Sequence, residues 1–271
     1  MQSFIPVKIT DRIWAERLLK GEMFMRSLSE FGIWDKESPV KDDNRKDIFE
    51  GAVSTYGNPE YSPVLKGVAP SFKRIVKNVT EIDETDLKYF KVFCMYCLQH
   101  DEETGELVRP DPRVKGFGDS AVVFRDFNEF LLRFGKAIIK LCDNSVELID
   151  TITYFNLDEN RPLRPLFEKT SSFSYQNELR LAFAQTVKVD DSYRVLIIKN
   201  NLLLNVGDIH DIAYLIPMEE LLDTSGIVGP FVDFSSQNPS KPSLYDWMVE
   251  QTQRQMKEYK AFFTRPLIII G

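Results

Sequence analysis

The sequence predicts an α+β fold, a mixed and mostly antiparallel sheet or pair of sheets with peripheral helices and one further helix toward the C-terminal end. Three observations carry that expectation. Apolar, aromatic runs of strand length recur along the chain, the clearest being Tyr89-Phe90-Lys91-Val92-Phe93-Cys94-Met95-Tyr96-Cys97-Leu98, which is free of glycine and proline. Few helical segments lie between such runs, so the regular strand–helix alternation of a doubly wound parallel sheet is missing. The 271 residues are 43% hydrophobic and 12% aromatic, enough to bury a substantial core.

Taken in order, Ile13 to Lys20 reads as a short helix with Asp11 as N-cap and Gly21 as its stop. Glu22 to Leu28 is strand-like. A charged loop with a Ser-Pro step runs from Asp35 to Asp47 and closes on Arg45-Lys46-Asp47-Ile48-Phe49-Glu50-Gly51, and Tyr56 to Pro70 is rich in Gly, Pro and Tyr, which favours turns. After the Tyr89 strand, His100 to Gly118 is a polar loop and Ala121 to Phe124 a strand. Asp126 is placed to cap a helix from Asn128 to Leu141, whose Phe130, Leu131, Phe134, Ile138 and Leu141 form an apolar stripe.

Val146 to Tyr154 alternates like a strand, and Arg161-Pro162-Leu163-Arg164-Pro165 breaks any regular element. Leu166 to Lys169 begins either a helix or the lead-in to the next strand, Glu178 to Val187. Tyr193 to Lys199 and Ile212 to Ile216 are further strands, with a short helix opening at Pro217. Ser225 to Ser243 is a Gly/Pro/Ser linker. Leu244 to Phe263 is a helix, since Trp247, Met248, Gln251 and Met256 to Tyr259 recur at helical spacing, and Arg265-Pro266 stops it before the apolar tail Leu267 to Ile270. The expected organisation is an α+β core over residues 1–216. Residues 217–271 then supply the linker, the C-terminal helix and a tail packing on the core or on a partner.

With 34 Lys+Arg against 41 Asp+Glu, the net charge of -7 favours solubility and disfavours nonspecific binding to nucleic acid or anionic membrane. Three cysteines make no disulfide framework, so a reducing, cytoplasmic setting is expected. Met1 to Lys20 lacks the apolar centre of a secretory signal, and no stretch approaches the roughly 20 apolar residues that span a bilayer.

Several constellations could carry chemistry. Arg45, Asp47 and Glu50 beside Phe49 form either a ligand-facing edge or a solvated loop anchored by its aromatic ring. Arg26, alone among Met23 to Leu28, points to solvent or into a cleft that wants a guanidinium fork. Cys94-x-x-Cys97 followed by His100 has metal-like spacing, but residues three apart on a strand face opposite ways, and buried strand thiols with no metal are the expectation. Neither His100 nor His210 pairs with a serine in a nucleophile elbow, and no glycine-rich phosphate loop is present.

That leaves Ser171-Ser172-Phe173-Ser174-Tyr175-Gln176-Asn177-Glu178-Leu179-Arg180. Hydroxyls and amides lead into a strand whose Leu179, Leu181 and Phe183 take one face, so Gln176, Glu178 and Arg180 share the other. Such a ladder is either the wet face of an edge strand or a preorganised polar site.

The segments Leu19 to Phe24, Leu28 to Phe31, Arg45 to Gly51, Val92 to Tyr96 and Ser174 to Arg180 together resemble a group of uncharacterised bacterial proteins related to a domain-of-unknown-function family of bacterial and phage genomes. In addition, Gln176-Asn177-Glu178 resembles the Gln-x-Glu end of the turn-plus-strand motif of ADP-ribosyltransferases. That similarity implies two short packed sheets with NAD in the cleft between them. It also implies Arg26 or Arg45 holding the cofactor, Tyr175 and Arg180 beside it, the Cys94 to Cys97 strand in the middle, Gln176 placing the acceptor, and Glu178 as the catalytic acid. The middle strand carries Phe93-Cys94-Met95-Tyr96-Cys97 where a Ser-Thr-Ser-like run belongs.

The enzyme so implied is an NAD-dependent ADP-ribosyltransferase, a toxin or phage-defence effector. Two other expectations stand beside it. One is a non-catalytic interaction or regulatory module that binds a protein partner or a second copy through the Asp35 to Gly51 loop and the Trp247/Met248/Phe262/Phe263 helix. The other is a Mg²⁺-dependent nuclease using Asp47, Glu50 and Glu178.

Overall fold

The computed structural model describes residues 4–31, 47, 50 and 89–232, except 102, 143, 157, 160–162, 165, 190–191, 196–200, 225 and 230. Outside these residues lie Arg45, Phe49, the rest of the Asp35 to Gly51 segment apart from Asp47 and Glu50, the Tyr56 to Pro70 stretch, the linker beyond residue 232, the C-terminal helix and the apolar tail. The chain divides into two compact units, each built from separate stretches of sequence. Of the described residues, 4–23, 95–142 and 203–232 belong to the first, and 24–31, 47, 50, 89–94 and 144–202 to the second.

In the first unit the organising strand is β1 (Phe4–Thr10). Residues 4–7 pair antiparallel with the end of β3 (Lys91–Gln99), Phe4 opposite Gln99, and residues 7–10 pair with β4 (Ser120–Phe124), Val7 opposite Val123. β10 (Ala213–Pro217) continues antiparallel on β4. The sequence reading assigns no strand here, because Lys8 and Pro6 interrupt the apolar run. The strand tolerates Pro6 because it shares its length between two neighbours, and the proline falls in the half that faces β3.

Helix α1 (Arg12–Leu19) buries Ala15, Leu18 and Leu19, and Asp11 begins it through its backbone carbonyl, not its side chain. Gly21 stops the helix at φ +93°, where a Cβ would lie 2.3 Å from the Gly207 carbonyl oxygen, so no larger residue fits. Helix α2 (Phe127–Leu141) is capped by Asp126, whose Oδ1 accepts from the Glu129 N–H at 2.9 Å. Phe130, Leu131, Phe134 and Ile138 are buried as the stripe requires. Leu141 is 44% exposed because the helix ends there, and Phe127 at the other end packs edge-on to Phe124 instead, their ring centroids 5.6 Å apart.

In the second unit, the Arg26 and Ser27 end of β2 (Glu22–Ser27) pairs antiparallel with the Lys91 and Val92 start of β3. β5 (Ser145–Thr151) runs antiparallel to β8 (Glu178–Val189) from Ser145 opposite Gln185 to Thr151 opposite Leu179, and β9 (Ser192–Val195) pairs with the far end of β8. The alternating run expected as one strand from Val146 to Tyr154 is two. At Ile152 the backbone N–H turns to the Glu178 carbonyl, and β6 (Thr153–Phe155) then pairs in parallel with β7 (Glu168–Thr170). β7 thus replaces the helix or lead-in expected over Leu166 to Lys169. Mixed helices with mostly antiparallel strands make this an α+β chain. Among the described residues no helix is long and apolar enough to cross a membrane.

Candidate functional site

The site is assembled within the second unit by a short piece of local structure. β7 has all three residues buried, with Lys169 in the middle. A 3₁₀ turn over Ser171–Gln176 follows, and Asn177 ends it in the left-handed conformation at φ 37°, which asparagine tolerates better than most residues. The chain thereby returns alongside β7, and both Gln176 and Glu178 reach the Lys169 ammonium. Nζ donates to Gln176 Oε1 at 2.9 Å and to Glu178 Oε2 at 2.6 Å.

Arg180, next on the same face of β8, clamps the other side of the carboxylate. Its Nε donates to Glu178 Oε1 at 2.9 Å, and Nη2 lies 2.9 Å from the same oxygen. Nη1 donates to Glu50 Oε1 at 2.6 Å and to the Leu166 carbonyl at 2.8 Å, and Nη2 to Glu50 Oε2 at 3.3 Å. A guanidinium has five N–H donors, and these contacts engage all of them. Lys169 Nζ also lies 3.5 Å from Glu50 Oε2, which closes a ring of two cations and two carboxylates.

The four side chains are between 0% and 6% exposed, so the charges interact in a medium of low effective dielectric. Burial pushes the Glu178 carboxyl up, but the Arg180 and Lys169 charges, with hydrogen bonds from Cys94 and Lys169, hold it well below the usual carboxylate range. Burial likewise opposes the charge on Lys169, and Glu178 and Glu50 outweigh it, so the ammonium stays protonated above its ordinary range. Glu178 is therefore a permanent anion and Lys169 a permanent cation at neutral pH.

A more accessible polar rim adjoins the ring. Arg164 bonds Asp150 Oδ2 at 2.6 Å and Thr153 Oγ1 at 2.8 Å, with Glu168 at 3.4 Å. The Tyr154 hydroxyl accepts from the Glu178 backbone N–H at 3.1 Å. Ser171, Ser172 and Ser174 on the 3₁₀ turn are exposed, and Tyr175 is half-buried among them.

Of the residues singled out from sequence, the structure brings Gln176, Glu178 and Arg180 together, and adds Glu50 from far along the chain. Gln176, Glu178 and Arg180 are 6%, 5% and 1% exposed, and Leu179, Leu181 and Phe183 on the opposite face are buried too. The solvated-edge alternative for this ladder is thereby overturned. Arg26 bonds Glu30 at 3.3 Å, with its guanidinium 5.7 Å from the Phe24 ring centroid. Arg45 lies outside the described residues. Lys169 was missed, because a three-residue strand between a proline-broken stretch and a turn is too short to show a period. Cys94, expected as a buried strand thiol, is half-buried and hydrogen-bonds Glu178. Among the described residues no three His, Cys, Asp or Glu side chains gather in a way that could hold a metal ion, and Glu50 and Glu178 meet through Arg180 and Lys169.

No family model matches the chain, and comparison with curated proteins and with solved structures gave no significant match.

Proposed function

We propose that this protein is an NAD-dependent ADP-ribosyltransferase-like enzyme acting in the cytoplasm as a toxin or phage-defence effector, with Gln176 and Glu178 as its working pair. One observation carries the reading: an amide and a permanently ionised carboxylate, two residues apart at the start of a strand, converge on a single buried ammonium beside a turn of exposed hydroxyls. NAD supplies a glycosidic bond whose cleavage builds positive charge on the ribose. A fixed anion near that charge stabilises it without reorganising at the moment of reaction.

The residues present fit the two ends of NAD unequally. At the ribose end Glu178 contributes the charge and Gln176 a second polar contact for the acceptor, with the half-buried Tyr175 beside them. At the pyrophosphate end Arg180 has no N–H to spare, so it acts on a bound molecule through the carboxylate it holds. The cation for the pyrophosphate falls to Arg26, whose side chain is 34% exposed, or to Arg45.

A second reading has an observation of its own. Both oxygens of Glu178 and every donor of Arg180 are engaged inside the protein, as they would be in a buried clamp of a non-catalytic binding module. Glu178→Gln separates the two. The enzyme reading expects nicotinamide release from NAD by the purified protein and its loss in the variant, with near-ultraviolet circular dichroism confirming native packing. Release that persists in a folded variant excludes Glu178 from catalysis.

A further inference from the structure

Lys169 is the charge that touches both members of the pair. We propose that Lys169 is the positioning residue of the site, the buried ammonium that fixes the Gln176 amide and the Glu178 carboxylate in one mutual arrangement. The inference rests on the reading of Gln176 and Glu178 as the working pair.

The geometry divides the work between the two cations. Arg180 meets Glu178 at Oε1, while Oε2 takes its hydrogen bond from Lys169. Gln176 turns its carbonyl oxygen toward Nζ, since an ammonium offers donors alone, and this fixes the amide's orientation. Glu50 Oε2, 3.5 Å away, holds the ammonium from a third direction, and the Phe173 ring centroid lies 6.0 Å from it. The Lys169 side chain is 6% exposed, so it cannot exchange these partners for water without opening the ring.

Among the described residues, the charged and titratable groups facing Glu178 are Lys169 on β7, Arg180 on β8, the Cys94 thiol on β3 and the Tyr154 hydroxyl on β6, with Glu50 behind both cations. Arg180 is held by Glu50 and the Leu166 carbonyl whether or not Lys169 is present. Lys169 is therefore the member whose removal frees the pair while leaving the guanidinium clamp in place.

Lys169→Met alone would leave two carboxylates against one guanidinium in the interior. Lys169→Met combined with Glu50→Gln removes one cation and one anion, keeps the interior neutral and preserves an oxygen for Arg180. Lys169→Arg restores the charge. Three measurements apply to all of these proteins: carbon-13 NMR titration of the Glu178 carboxyl in selectively labelled protein, the NMR spectrum of the Gln176 side-chain amide, and nicotinamide release.

In the wild type the Glu178 resonance is expected not to titrate between pH 7 and 4. With both titrations carried below pH 4, the double variant should take up its proton at a higher pH than the wild type, about a tenfold gain in proton affinity, and nicotinamide release should fall about tenfold. Lys169→Arg should return the midpoint toward the wild-type value. A Glu178 midpoint and a Gln176 side-chain amide spectrum that match the wild type in the folded double variant would overturn the proposal. If the wild type itself releases no nicotinamide, the enzyme reading fails, and the two NMR measurements still decide the role of Lys169.

Discussion

Replacing Arg180 by methionine tests whether the charged ring is the organising feature of the second unit. The substitution conserves much of the side chain's length and leaves Glu50 and Glu178 sharing the single cation Lys169, a net charge of −1 in the interior. Removing one partner of a buried ionic network costs about 3–5 kcal/mol, because the orphaned charge stays desolvated. The Leu166 carbonyl also loses its donor, for about a further 1 kcal/mol. Domain stabilities are on the order of 5–15 kcal/mol, so the change is large enough to read by urea unfolding followed by circular dichroism.

The pH dependence supplies a sharper criterion. In the wild type Glu178 is held below its ordinary range, so its contribution is fully present above the unfolded value of about 4.3 and is lost as pH falls through the folded one. In Arg180→Met one carboxylate lacks a cation and burial raises its pKa, so the folded variant takes up a proton before the unfolded chain does and gains stability on acidification. The difference between the two proteins should therefore narrow from pH 7 to pH 4. A variant within about 1 kcal/mol of the wild type at pH 7, or a gap that widens on acidification, would refute the account.

Further outcomes follow from single contacts. Lys91 is 2% exposed, donates to Ser27 Oγ at 2.6 Å, and is lowered to about 8 by burial, with the charge of Glu30 opposing. Its unfolded value is about 10.4, so the unfolded chain binds more protons between these limits and stability should rise with pH there, by at most about 3 kcal/mol. Lys91→Met should flatten that rise in urea titrations at pH 8 and 10. Asp126→Ala removes the cap of α2 and should cost about 1 kcal/mol in thermal unfolding. At the left-handed Asn177, glycine should be accepted within about 1 kcal/mol while valine costs at least about 1–2 kcal/mol, and a melting temperature unchanged by valine would contradict the backbone geometry.

Apolar runs without interruption were legible from sequence: β3, β4 and α2 stand close to where their aromatic and β-branched residues place them. β1 was not, since its Lys8 and Pro6 look like the end of a strand until the second neighbour that shares its length is known. The site shows the same limit in electrostatic form. Alternation along Glu178 to Phe183 correctly assigns Glu178 and Arg180 to one face, while Gln176 joins them from the 3₁₀ turn and not from the strand, and alternation says which residues share a face and nothing about what that face meets. Lys169 lies nine residues before Glu178 and Glu50 lies 130 residues before Arg180, so the groups that turn an apparently solvated ladder into a closed ring are absent from any local window. A charged face is buried only when its charges are matched, and the match here is made by tertiary contact. For that reason the count of charges on a strand is a weaker guide to exposure than the presence, elsewhere in the chain, of opposite charges on segments equally rich in buried neighbours.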